Sequence, residues 1–213
     1  MSVDFSTGHK KMMEYLHGRD IKDPRVLAAM NRVQRHCFLP SSVRKQAYTL
    51  RPVSLGHGQT MSTPYIVASM TDLLGLSGEE RVLEIGTGCG YQTAVLCELS
   101  KEVFSIEIVE PVGRFGRENL KNQGYEPHLR IGDGGYGWEE ASPFNAILIA
   151  ATAPHIPQAL LDQLLVGGVL VAPVEHANRE YMMRIKRTNE GFEREVLYGV
   201  RFVPMTGMVR SLD

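Results

Sequence analysis

The stretch Glu84-Ile85-Gly86-Thr87-Gly88-Cys89-Gly90 brings a carboxylate to within two residues of three alternating glycines. Glycine at those positions removes Cβ from a bend, so the backbone can come close to a ligand. The same turn opens a helix, which predicts amide N–H groups left free for a carboxylate or a phosphate. The third glycine arrives one residue early for the dinucleotide pattern G-x-G-x-x-G, and Tyr91 stands in its place.

Two further acids fall where a nucleoside would need them. Glu107 closes an apolar run 17 residues after Gly90. At the carboxyl edge of a sheet its two oxygens can accept both ribose hydroxyls. Asp133, inside Gly132-Asp133-Gly134-Gly135, could meet an adenine amino group. Taken singly, the glycines read as a tight bend, Glu107 as a strand-end charge and Asp133 as a turn residue. Taken in order, at successive strand ends, they predict a bound nucleoside. The spacing E-x-G-x-G-x-G resembles motif I of class I S-adenosylmethionine-dependent methyltransferases.

A second stretch, Gln59-Thr60-Met61-Ser62, precedes Thr63-Pro64. Thr63 is the better helix N-cap because it directly precedes the proline, which leaves the Ser62 hydroxyl with less to do. A hydroxyl and amides ahead of a helix N-terminus suit a carboxylate. His9, His17, His36, His57, His128, His155 and His176 form no i, i+3 or i, i+4 ligand pair, so no metal centre is expected. The lack of G-x-S-x-G speaks against an esterase.

Alternating strands and helices must position these groups. Residues 8–17 and 23–33 read as helices, the second started by Asp23-Pro24. Residues 41–55 read as a connecting loop, and 56–63 as a polar loop leading into a helix over 64–75. Strands are expected at 81–85, 102–108, 128–131, 144–150 and 169–174, with helices at 92–99, 111–123 and 157–165. The run 144–150 is wholly apolar, as in a strand covered on both faces. Segments 181–187 and 192–198 flank Thr188-Asn189-Glu190-Gly191, a hairpin signal. The pattern is α/β, with a doubly wound, mainly parallel sheet and antiparallel strands at one edge.

Composition narrows the partners. The 213 residues carry 23 basic and 24 acidic side chains, a net charge of -1, so nothing in bulk charge calls for a nucleic acid or a membrane. Three cysteines without a C-x-x-C pair fit a reducing compartment, and cytoplasmic is the default location. No window reaches the roughly 18 apolar residues of a membrane span.

Over nearly its whole length the chain resembles protein-L-isoaspartate (D-aspartate) O-methyltransferases. The resemblance runs through residues 23–30, Arg35-His36-x-Phe38-x-Pro40, Ala47-Tyr48, Gly58-Gln59-Thr60-Met61-Ser62, residues 83–94, Gly132-Asp133-Gly134 and Arg201-Phe202-Val203-Pro204. It implies a Rossmann-like single domain, with an N-terminal helical extension over 1–55 and a cofactor-binding core with the C-terminal hairpin over 56–213. It implies S-adenosyl-L-methionine as cofactor and S-adenosyl-L-homocysteine as product. The acceptor would be the free α-carboxylate of isoaspartyl residues in damaged proteins, with D-aspartyl residues as a second acceptor; the ester then cyclises to a succinimide. By motif match Ser62 is the catalytic serine. Gln59, Thr60, Glu84, Gly86, Thr87, Gly88, Gly90, Glu107, Asp133 and Gly134 would hold the cofactor. Met61, Ser62, Val203 and Thr206 would face the substrate. A monomer is expected. Met61, Thr63, Tyr65, Cys89 and His155 depart from the usual family residues, and the changes at 61, 65 and 155 bear on substrate preference. A methyltransferase for another acceptor and a non-catalytic nucleoside-binding module are the alternatives.

Overall fold

The computed structural model describes residues 4–210. Two helices come first, α1 (Ser6–His17) and α2 (Pro24–Arg32). The Asp23 carboxylate accepts the Arg25 N–H at 2.8 Å, and Pro24 takes the first helical position, as the sequence predicts. Short 3-10 turns at Arg35–Phe38 and Arg44–Gln46 follow.

The first correction comes next. Residues expected to be loop form an antiparallel hairpin of β1 (Val53–Gly56) and β2 (Gln59–Met61), with Val53 opposite Met61. Gly56, His57 and Gly58 all take positive φ, which reverses the chain within three residues. Val53 and Met61 are buried. Strands this short carry too few alternating positions to show a period.

α3 (Pro64–Leu74) starts at Thr63, whose hydroxyl accepts the Ile66 N–H at 3.3 Å, and ends at Gly75 in the left-handed region. Then come β3 (Arg81–Ile85), α4 (Tyr91–Cys97), β4 (Glu102–Glu107), α5 (Glu110–Asn122), β5 (His128–Ile131) and β6 (Phe144–Ile149). The chain continues through α6 (Gln158–Asp162), β7 (Leu164–His176), β8 (Arg179–Thr188) and β9 (Gly191–Val200). Seven strands form one sheet in the order β5-β4-β3-β6-β7-β8-β9. Pairing is parallel from β5 to β7, and β8 and β9 add antiparallel. The expected fold class therefore holds.

The helix expected over 157–165 is cut short, and β7 starts five residues before its expected start at 169. Leu164 pairs with Phe144 of β6. A neighbouring strand claims residues whose local pattern suits a helix equally well.

Alternation along the strands divides the core. Val82, Ala146, Leu148 and Val171 face one side, where Met12, Leu16, Met30, Val67 and Val95 of the helices meet them. Leu83, Ile85, Ile147, Ile149 and Leu170 face the other, against Leu160, Leu161 and Met205. The chain runs from β3 outward to β4 and β5, then returns to lay β6 on the other side of β3. Such a reversal leaves a crevice at the carboxyl ends of the two central strands.

Candidate active site

A cavity opens at that crevice, with about 890 Å³ of empty space including its mouth. One wall is the end of β3, the glycine turn and the start of α4. A second is the end of β4 at Ile106, Glu107 and Ile108. Gln59, Thr60 and Met61 of β2 with the adjoining Ser62 form a third, and the C-terminal stretch Val203–Thr206 completes the lining.

The glycine turn differs from expectation in one respect. All three glycine amides are used by the protein: Gly86 N–H reaches Ile106 O at 2.8 Å, Gly88 N–H reaches Glu107 Oε2 at 2.9 Å, and Gly90 N–H reaches Thr87 O at 2.9 Å. They are not held in reserve for an anion. α4 is only seven residues long, so its dipole adds little. Close approach is what the turn offers: Gly86, Gly88 and Gly90 all have positive φ.

Glu107 is 5% exposed and lines the cavity. Its Oε1 accepts the Val109 N–H at 2.9 Å while Oε2 holds Gly88. Two backbone amides thus fix the carboxylate at the sheet edge. Each oxygen keeps lone-pair capacity for a ligand hydroxyl.

Glu84 lies beneath the site rather than in its wall. It is 0% exposed, and Oε2 accepts from Thr93 Oγ1 at 2.5 Å and Ser105 Oγ at 2.6 Å. Since Ser105 gives its proton to Glu84, Thr87 donates to Ser105, at 2.6 Å. Thr87 lines the cavity. Burial pushes the Glu84 carboxyl up to about 8 against the pull of the two hydroxyls, with the nearby Glu107 adding to the rise. The neutral acid therefore predominates at pH 7.

Gly90 and Asp133 also fall outside the cavity wall. Gly90 packs against α5, where a Cβ would meet Leu120 Cγ at 2.8 Å. Asp133 turns toward the chain's end: Oδ1 accepts the Gly135 N–H at 2.8 Å and Oδ2 the Met208 N–H at 2.7 Å. Gly134 does line the cavity, and a Cβ there would lie 2.3 Å from Ile85 Cγ2.

The tail has a second anchor. Thr152 N–H reaches Val203 O at 2.8 Å and Met205 N–H reaches Thr152 O at 2.7 Å. Glu180 Oε2 accepts from Thr152 Oγ1 at 2.8 Å and from Phe202 N at 2.7 Å. Val203 and Thr206 are thus held in the lining of the cavity that Met61 and Ser62 share.

Gln59, Thr60, Met61, Ser62, Gly86, Thr87, Gly88, Glu107, Gly134, Val203 and Thr206 all share the cavity. Cys89, Tyr91, Gln92 and Ile108 line the cavity as well, and their adjacency in the chain to motif residues is a signal that could have found them. Val67 and Met70 of α3 carry no such signal. Both belong to an apolar helical face, and periodicity does not tell which part of that face meets a cavity.

A model of the protein family described as protein-L-isoaspartate(D-aspartate) O-methyltransferase matches residues 7–210. A protein-L-isoaspartate O-methyltransferase of Opitutus terrae is 52% identical over 195 residues, covering 91% of this chain and 84% of that one. One of Myxococcus xanthus is 48% identical over 203 residues, covering 93% and 96%. Among solved structures, a Plasmodium falciparum protein named as a protein-L-isoaspartate O-methyltransferase, in complex with S-adenosyl-L-homocysteine, superposes with a TM-score of 0.82. It is 27% identical, with 93% of this chain and 98% of that one covered.

Proposed function

The chain belongs to the protein-L-isoaspartate(D-aspartate) O-methyltransferase family, and from that premise we propose how its cavity divides the work. The enzyme methylates the α-carboxylate of L-isoaspartyl residues in damaged proteins with S-adenosyl-L-methionine, beginning their repair. D-aspartyl residues are a second proposed acceptor. One observation carries the site assignment: a single cavity joins the Glu107 and glycine-turn walls to the Ser62 hairpin and the Val203–Thr206 tail.

The residues present fit the cofactor. A buried, amide-fixed carboxylate at Glu107 suits ribose hydroxyls, and the Gly86–Gly88 turn admits a close ligand. Gln59, Thr60, Thr87 and Gly134 complete that side. When bound, S-adenosylmethionine supplies a methyl group activated by a sulfonium.

Met61, Ser62, Val203 and Thr206 then receive the isoaspartyl residue. An α-carboxylate has a pKa of roughly 3.5, so it arrives ionised and no general base is required. Ser62 donates a hydrogen bond to one carboxylate oxygen and leaves the other to react. A neutral donor suits this reaction better than a cation, because tight ground-state binding of a charge that is then lost would raise the barrier. The rest of the work is orientation and exclusion of water, worth roughly 7–11 kcal/mol in well-aligned systems.

Glu84, Gly90 and Asp133 serve the site at one remove, through Ser105 and Thr87, through the packing of α5, and through the tail. We further propose one domain, since α1 and α2 share a core cluster with the sheet. We propose a monomer, and three free cysteines support a cytoplasmic location. Among the described residues no helix is long and apolar enough to cross a membrane.

Incubation with labelled S-adenosylmethionine and matched aspartyl, isoaspartyl and D-aspartyl peptides tests the reading. Base-labile label on the isoaspartyl peptide, and none on the aspartyl one, is expected. Label on neither would overturn it.

A further inference from the structure

Arg35 has no role in the chemistry described above, yet its guanidinium touches two residues of the cavity wall, Ser62 and Tyr91. The side chain is 0% exposed. Its Nε donates to Ala47 O at 2.7 Å, and Nη2 donates to the carbonyl of Ser62. The guanidinium carbon sits 4.8 Å from the centre of the Tyr91 ring, and Tyr91 is part of the cavity wall. Among the described residues no carboxylate pairs with Arg35. Its Nη1 and the Tyr91 hydroxyl are both buried, and neither has a hydrogen-bond partner other than the guanidinium–phenol contact between them.

Such a group is a poor device for stability alone. Removing a guanidinium from water is costly, and two carbonyls with a ring face offset that less well than a carboxylate would. An apolar side chain of similar size would fill the space without burying a charge. Geometry gives the arginine a different use. Its two carbonyl partners stand at either end of residues 48–61, which contain the β1–β2 hairpin. One rigid, planar fork therefore ties both ends of the segment that carries Gln59, Thr60 and Met61 into the cavity. A lysine could not present two coplanar donors in this way. On its far side Ser62 is followed by Thr63, which is held by capping α3.

We propose that Arg35 is a positioning residue for methyl transfer: its buried guanidinium fixes the Ser62 peptide against the Tyr91 wall, so that acceptor and donor sides of the cavity stay in register. This rests on the role of Ser62 proposed above. The guanidinium touches the site through the Ser62 carbonyl and the Tyr91 ring, so losing it displaces the acceptor more than it weakens cofactor contacts. Displacements of this kind can cost about a hundredfold in rate.

The test is a double-mutant cycle on the whole chain, with kcat and KM measured on an isoaspartyl peptide and S-adenosylhomocysteine affinity measured by calorimetry. Arg35→Gln is expected to lower kcat about tenfold or more, with affinity for S-adenosylhomocysteine changed by less than about threefold. In a Ser62→Ala background the same change should cost no more than about twofold, because the group it positions is already gone. Arg35→Lys, which keeps the charge and one donor, is run through the same cycle and secures the measurement if Arg35→Gln does not fold. Losses that simply multiply in the double variant would overturn the inference and leave the Ser62 assignment standing. Unchanged kcat in a folded Arg35 variant with a lowered Tm would overturn it too, as a purely structural role. Full activity in Ser62→Ala alone would instead remove Ser62 from the mechanism, and Arg35 with it.

Discussion

Glu107 Oε2 accepts the Gly88 N–H at 2.9 Å, so the acid that ends β4 and the turn that follows β3 are joined before any ligand arrives. The proposed ribose acceptor is thereby preorganised, and the turn is anchored at its middle glycine. Glu107→Ala removes both functions. Charge-assisted hydrogen bonds are worth about 1.5–3 kcal/mol each, so affinity for S-adenosylhomocysteine should fall by about tenfold or more. Calorimetry giving equal affinity for the variant would rule out this contact.

Ser62→Ala should leave cofactor affinity intact and lower kcat on an isoaspartyl peptide by about tenfold or more, the scale of losing one neutral hydrogen bond. The helix should survive the change, because Thr63 and not Ser62 accepts the Ile66 N–H. Unaltered turnover would show that the carboxylate is oriented by other groups.

Gly116→Ala sets two known effects against each other. In a helix interior alanine gains about 1 kcal/mol over glycine. At Gly116, however, a Cβ would lie 2.5 Å from Gly88 O and 3.3 Å from Gly90 N, both backbone atoms of the turn. Overpacking of this kind costs about 1–3 kcal/mol, so the net effect should be a lower Tm together with weaker cofactor binding. A raised Tm would mean that α5 can move away from the turn at no cost.

Asp133→Ala should loosen the tail rather than the cofactor side. It leaves the Met208 and Gly135 N–H groups without their acceptor. Hydrogen exchange across residues 203–209 should accelerate, and the KM for an isoaspartyl peptide should rise by about threefold or more. If exchange there is unchanged, the Thr152 and Glu180 anchor alone holds the tail.

Glu84 predicts a pH dependence of stability. Its carboxyl pKa is raised in the fold to about 8 from an ordinary 4.5. Between those values the folded state binds more protons than the unfolded one, so stability falls as pH rises and levels off above about 8. The limiting slope is about 1.4 kcal/mol per pH unit. Urea unfolding at pH 5, 7 and 9 should show this decline, and Glu84→Gln should flatten it. Parallel curves for the two proteins would place the titration elsewhere.

The sequence by itself determined the order of strands and helices, because apolar runs and helical stripes are local. It also determined the family, and the position of Glu107 at a strand end beside a glycine turn. It marked Thr63 as the cap of α3 and so set Ser62 apart, again from neighbours in the chain. Tertiary structure decided the rest. Glu84 and Asp133 read as ligand groups by spacing alone, yet one is buried under the turn through Ser105 and the other holds Met208, 75 residues away. The glycine amides read as free until Ile106 O and Glu107 were brought against them by parallel pairing. Arg35 reaches Ser62 across 27 positions of chain, and no spacing rule connects the two. Local pattern sets which residues lie at a strand end or a helix start; which of them face a cavity depends on non-local packing that the pattern does not contain.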